Sequence, residues 1–132
     1  MSVSEQLRDE GLAHICRLTI ERDEGGEPVK YLPQNRYINR ASVNLNRNGK
    51  GPFCRLVLPH LSSQAGVYAI TIDDEVVYIG ECQSFQEMFG QRGYGVVNPA
   101  DCYEGGQSTV CKVNSRILSA ILMNSVREAF GV

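Results

Sequence analysis

The chain has 132 residues, 42% of them hydrophobic and 21% charged, which is typical of a single globular domain. No apolar run reaches the ~18 residues that a membrane-spanning helix needs, and the polar first ten residues do not resemble a secretion signal. The five cysteines include no C-x2-C pair, so we expect no zinc site but reduced core thiols in a cytoplasmic protein.

The net charge of −2 hides an uneven distribution along the chain. Residues 28–60 contain six Lys or Arg and no Asp or Glu, whereas residues 66–132 contain four basic and eight acidic residues. A concentration of positive charge favours binding of a polyanion such as nucleic acid. A solvated basic loop explains the same composition, so both interpretations stay open.

The first half of the chain is weakly patterned. Residues 2–15 predict a helix with a serine N-cap, and residues 21–28 predict an acidic, Gly-rich loop. Residues 17–20 and 54–58 predict short strands. Residues 31–51 are rich in Asn and Arg, which favours a polar, basic surface.

Residues 66–72 and 76–79 predict the two strands of a β-hairpin. A three-residue turn at 73–75 would place Tyr68 opposite Gly80 and bring Tyr68 and Tyr78 to the same face. Glycine would then leave an open space beside the Tyr68 phenol. A two-residue turn would instead place the rings on opposite faces, and simple sheet packing of both tyrosines is the alternative to a functional role.

The C-terminal part predicts two helices separated by a structured loop. Residues 84–89 predict a short helix, and residues 93–106, with four glycines and a proline, predict the loop. From residue 108 onward the apolar residues follow a helical period, which predicts one helix as far as residue 130.

The hairpin triplets Gly66-Val67-Tyr68 and Tyr78-Ile79-Gly80 resemble the double motif of the GIY-YIG nuclease superfamily. The segments that follow them, RGYG, NPADCY and GGQSTVCKVN, are similar to the restriction-endonuclease-like branch. The resemblance spans residues 51–118, about half of the chain, and its motifs occur in the family's order.

This resemblance implies an endonuclease that hydrolyses DNA phosphodiester bonds with Mg²⁺ or Mn²⁺. The implied fold is α+β, a small α/β sandwich with a three-stranded antiparallel sheet flanked by helices. Residues 61–132 would form the catalytic core, and residues 1–60 an N-terminal helix and basic extension. The implied partner is double-stranded DNA, with a homodimer as a further expectation and no membrane association.

By position in the family motifs, Tyr68 would act as or assist the general base, and Tyr78 would orient water or phosphate. The motif arginine falls on Met88, so Arg92, four residues later, is the candidate for that role. Glu128 and Glu81 are the candidate metal ligands. The candidate DNA-binding residues are Arg36, Arg40, Arg47, Lys50, Arg55, Lys112 and Asn114.

Two departures from the family pattern keep a second interpretation open. Met88 replaces the motif arginine, and the glutamate that the family carries on a later helix has no clear counterpart. The alternative is therefore a catalytically degenerate or truncated GIY-YIG-fold module that binds DNA without cutting it. A structural domain without nucleic-acid binding is a third possibility.

Overall fold

The computed structural model describes residues 2–33, 44–90 and 93–132. These form three α-helices and four β-strands, with a 3₁₀ turn at Pro99–Cys102. No helix in these three ranges is long and apolar enough to cross a membrane. In chain order the elements are α1 (Val3–Asp9), β1 (Ala13–Arg17), β2 (Gly66–Ile72), β3 (Glu75–Cys82), α2 (Phe85–Met88), α3 (Ser108–Leu122) and β4 (Arg127–Gly131).

The four strands form one antiparallel sheet in the order β1-β4-β2-β3. The expected α+β class is confirmed, but the expected count of three strands is wrong because β4 was not predicted. β1 and β4 come from opposite ends of the chain and pair with each other. The division of the chain at residue 60 stays a prediction.

The predicted N-terminal helix is real but short. Its serine cap is confirmed, since the Ser2 side chain accepts a hydrogen bond from the Glu5 amide. The helix ends at Asp9 because Gly11 adopts a φ of 93°, a conformation that a helix does not tolerate. The chain then enters β1, so the strand lies earlier than the predicted 17–20. Residues 54–58 form no strand and contribute an isolated bridge from Leu56 to Ile20.

The hairpin reaches the expected register by an unexpected route. Its turn has two residues, Asp73 and Asp74, both with positive φ (50° and 64°), as the tight turn of a β-hairpin requires. A β-bulge between Ile70 and Thr71 then shifts the pairing by one residue. Tyr68 consequently pairs with Gly80, and both hairpin tyrosines point to the same face.

The predicted long C-terminal helix stops eight residues early. α3 ends at Leu122, and Asn124 takes a left-handed φ of 57°, a common way for a helix to terminate. The Val126 amide then donates to the Asp73 carboxylate at 2.7 Å, which ties the chain to the tip of the hairpin. Residues 127–131 therefore form a strand, and Glu128 lies in β4.

The core lies between α3, the loops beside it and one face of the sheet. Tyr68, Ile70 and Ala129 contribute from the sheet, and Ile117 contributes from α3. All five cysteines are buried free thiols, which confirms their prediction as core residues. This packing positions α3 against the two tyrosines of the hairpin.

Candidate functional site

Three tyrosines meet on the face of the sheet that α3 covers, and we call them the tyrosine cluster: Tyr68, Tyr78 and Tyr94. The rings of Tyr68 and Tyr78 are stacked, with centroids 6.0 Å apart and planes at 29°. Tyr94, from the loop after α2, packs edge-on against both rings at 5.9 and 6.0 Å. The structure thus confirms the predicted shared face and adds a third phenol to it.

Tyr68 is enclosed by its neighbours. Only 1% of its surface is exposed, its hydroxyl hydrogen-bonds to that of Tyr94, and Phe89 packs against its ring at 5.2 Å. A Cβ added to Gly80 would lie 2.6 Å from the Tyr68 hydroxyl oxygen. The open space predicted over Gly80 is therefore filled by the phenol itself, and that expectation is wrong.

The enclosure keeps the buried phenols protonated. Burial raises the pKa of Tyr68 to about 12, although the hydrogen bond with Tyr94 acts in the opposite direction. Burial also raises the pKa of Tyr94, as does its hydrogen bond with Tyr68. At neutral pH the pair is therefore a hydrogen-bonded unit, and ionisation of Tyr68 needs a nearby positive charge.

Asn114, predicted to contact DNA, is instead a structural residue. It is fully buried, and its side-chain amide donates to the carbonyls of Cys54 (2.8 Å) and Tyr94 (2.7 Å). Its side-chain oxygen accepts from the Cys54 amide at 2.9 Å. Since no face of the side chain is accessible, it cannot reach a ligand, but it fixes the loop that carries Tyr94.

A groove runs between α3 and the β2–β3 hairpin, and we call it the α3 groove. A cavity of about 60 Å³ in it has an apolar floor that includes Val77 and Ile117, and Tyr78, Lys112 and Arg116 also line it. Arg116 also lines an adjoining hollow of about 360 Å³. The structure thus places the predicted Lys112 beside Tyr78, together with one cation that the sequence reasoning missed.

Two features of the sequence point to Arg116 and Tyr94, which were not predicted as site residues. Arg116 follows Lys112 by four residues, which puts both side chains on the same face of a helix. Tyr94 is the tyrosine of the RGYG segment, which follows the hairpin by about ten residues. Neither residue was assigned a role, because their proximity to the hairpin depends on tertiary packing.

The two candidate metal ligands lie on the opposite face of the sheet. Glu81 pairs with Val67, and Glu128 pairs with Thr71, and these two β2 residues alternate with Tyr68. Glu128 also contacts His14 Nε2 at 2.5 Å and Arg17 Nε at 3.6 Å. The sheet therefore separates both carboxylates from the tyrosine cluster, which argues against either of these candidates as a metal ligand beside the phenols.

Within residues 2–33, 44–90 and 93–132, no group of three His, Cys, Asp or Glu side chains is arranged to hold a metal ion. α3, the helix that faces the tyrosine cluster, contains no carboxylate. We therefore derive no chemical step through such an ion, and the divalent metal that the family resemblance implies stays a prediction.

The remaining basic candidates are dispersed. Arg55 stacks over the Tyr31 ring at 4.5 Å and contacts Glu21 at 3.6 Å, so its guanidinium is already engaged. Arg47 and Lys50 are exposed at a turn. Three further candidates fall outside the residues that the structure describes: Arg36, Arg40 and Arg92.

No protein-family model matches the chain, and no curated protein matches it in sequence. Among solved structures, the chain is similar to a mutant of bacteriophage T4 EndoII, with a TM-score of 0.51 and 18% sequence identity. The match covers 100% of this chain and 71% of that chain. At this level of identity the likeness concerns the fold alone.

Proposed function

We propose that this chain is a DNA endonuclease of the GIY-YIG type that hydrolyses phosphodiester bonds at the tyrosine cluster and the α3 groove. The observation that supports this proposal most directly is that Tyr68 and Tyr78, the tyrosines of the two motif triplets, lie on one face of the sheet with their ring centroids 6.0 Å apart. The fold supports the proposal, because it is similar to that of bacteriophage T4 EndoII.

The geometry suggests a division of roles within the site. Tyr78 is only half-buried and lines the groove together with Lys112 and Arg116, so its hydroxyl is the phenol placed to orient a phosphate or a water. Hydrolysis builds negative charge on the phosphate in the transition state, and the two cations would stabilise that charge. Tyr68 would then act through its contact with Tyr78 rather than through direct exposure to substrate.

Several expectations from the sequence and from the family resemblance remain part of this proposal. They are a duplex DNA substrate, activity in Mg²⁺ or Mn²⁺, contact of the basic extension with the DNA backbone, a homodimer and a cytoplasmic location. Arg92 stays in the proposal as a further cation, since it is only two residues from Tyr94 in sequence.

A second candidate function is DNA binding without cleavage. The placement of Glu81 and Glu128 on the far face of the sheet favours it, because neither candidate metal ligand then lies beside the phenols and cations of the tyrosine face. The burial of Tyr68 favours it as well, since a protonated phenol with a raised pKa is a poor base.

Nicking of supercoiled plasmid DNA in Mg²⁺, in Mn²⁺ and in EDTA separates the candidates. We expect the wild-type chain to nick with either metal, and Tyr78→Phe to lose about 10²-fold or more in rate. Tyr103→Phe is the matched control, because Tyr103 forms a bridge with Leu45 and is not among the residues that line the groove. Salt-sensitive binding without nicking would support the second candidate, and no DNA binding at all would contradict both.

A further inference from the structure

We propose that Lys112 and Arg116 form a phosphate-binding pair in the α3 groove that holds the nucleic-acid backbone against Tyr78. This inference rests on the proposed function. In this sequence Met88 stands where the family motif has an arginine, and we assign the cationic role of that arginine to Arg116. It identifies the ligand by its chemistry, as the phosphodiester groups of a nucleic acid strand.

The spacing of the two cations fits this ligand. Lys112 and Arg116 are one helical turn apart on α3, so their side chains start about 5–6 Å from each other on the same face. Both side chains are exposed, and both line the cavity beside Tyr78. Arg116 also borders the adjoining hollow, so its guanidinium is placed where a strand would pass from one part of the groove to the other.

Neither cation forms an ion pair with a described carboxylate. The two acids of the hairpin turn, Asp73 and Asp74, are engaged elsewhere, and the next residue, Glu75, lines a separate hollow beside α1. Asp73 accepts a hydrogen bond from the Val126 amide at 2.7 Å, and Asp74 accepts from the Val3 and Ser4 amides at 3.0 and 3.2 Å. The positive charge at the groove is therefore available for an anion from solution.

The residues that line the groove strengthen the attraction of the two cations for an anion. Beneath the cations lies a floor of apolar side chains, among them Ile70, Ile72 and Val77. An apolar wall lowers the local dielectric constant and so strengthens the attraction between a guanidinium and a phosphate. Ser115 and Ser119 line the adjoining hollow and add hydroxyl groups that can donate to phosphate oxygens.

Binding of a labelled DNA duplex, measured by fluorescence anisotropy in EDTA between 50 and 200 mM salt, tests the pair without any contribution from cleavage. Each of Lys112→Gln and Arg116→Gln should lower the slope of log affinity against log salt by about 0.9, and the double variant by about 1.8. Over that salt range the change corresponds to about 3.5-fold per cation. Arg116→Lys should keep the slope because it keeps the charge.

Arg8→Gln is the matched control, because Arg8 is an exposed arginine on α1 and lines no part of the groove. Its salt slope should equal that of the wild-type chain. Unchanged slopes in the double variant, at an unchanged melting temperature, would overturn the phosphate-binding pair. If the variants reduce the slope but the wild-type chain nicks no plasmid, the phosphate-binding pair is supported and only the endonuclease proposal is overturned. If the wild-type chain nicks plasmid but the slopes are unchanged, the endonuclease proposal is supported and the phosphate-binding pair is overturned.

Discussion

At the scale of single residues, Asn114 has the most connections within the site. It joins α3 to the backbone of Cys54 and to the loop carrying Tyr94, whose hydroxyl in turn bonds to Tyr68. An asparagine can satisfy this arrangement because its amide both donates and accepts. The sequence motif marked Asn114 as important, but only the structure distinguishes a structural clamp from a ligand contact.

We predict that Asn114→Ala destabilises the chain by about 3 kcal/mol or more. The substitution leaves the Cys54 amide and two carbonyls without their partner, and each unsatisfied buried group costs about 1–3 kcal/mol. Urea unfolding measures the free energy. Ser119→Ala, an exposed position of the same helix, should change it by less than about 0.5 kcal/mol, and equal effects of the two substitutions would contradict the clamp.

At the scale of elements, the hairpin shows how far sequence reasoning extends. The strands were predictable from alternation, whereas the shared face of Tyr68 and Tyr78 was expected only if the turn had three residues. The predicted three-residue turn was wrong, and the facing was preserved because a bulge compensates for the shorter turn. The extra residue of the bulge is Val77, which has no partner in β2, and no local feature of the sequence marks it.

The C-terminal strand, β4, was not predicted from the sequence because it too depends on tertiary contacts. The helical period of α3 continues in sequence to Val126, so periodicity alone extends the helix. Asn124 was the available signal for a break, but the path after it depends on the Asp73 carboxylate, 53 residues away in sequence. Tertiary contacts therefore decide this element, and with it the face on which Glu128 lies.

The contact between the hairpin and α1 leads to a prediction at the same scale. Asp74 accepts from the first amides of α1, and these hydrogen bonds lower its pKa. Asp74→Gly keeps the positive φ but removes the carboxylate, so hydrogen exchange of the α1 amides should accelerate, because the first amides of the helix lose their acceptor. Asp74→Asn, which retains an acceptor, should exchange more slowly than Asp74→Gly.

The stabilisation that the contact between Asp74 and α1 provides depends on pH. Because the pKa of Asp74 is lower in the folded chain than its ordinary 3.8, the contribution to stability is complete above that pH and is lost as the pH falls further. Exchange in α1 that is equally fast in the wild-type chain and in Asp74→Gly at neutral pH would contradict the assigned role.

At the scale of the whole molecule, the core is rich in groups that ionise at high pH. Burial raises the pKa of Cys54 and Cys111 to about 12, each from 9.0, and that of Tyr68 to about 12 from 10.0. Between pH 9 and pH 12 these groups lose their protons in the unfolded chain but retain them in the folded chain. The free energy of unfolding should therefore fall steadily as the pH rises from about 9 towards 12.

Urea unfolding at pH 8, 9, 10 and 11 in reducing buffer measures this dependence. Cys111→Ala should show a shallower decline, because it removes one of the buried groups that titrate in this range. A free energy of unfolding that stays constant from pH 8 to pH 11 would show that these groups are accessible to water in the native state.

The most direct test of the account is where DNA contacts this chain. Backbone amide NMR shifts, recorded with a short duplex in EDTA, should change most along β3 and α3, around Tyr78, Lys112 and Arg116. The amides of α1 should be unaffected. Shifts confined to β1 or to the face that carries Glu81 and Glu128, with none along α3, would contradict the claim that the tyrosine cluster and the α3 groove form the functional site.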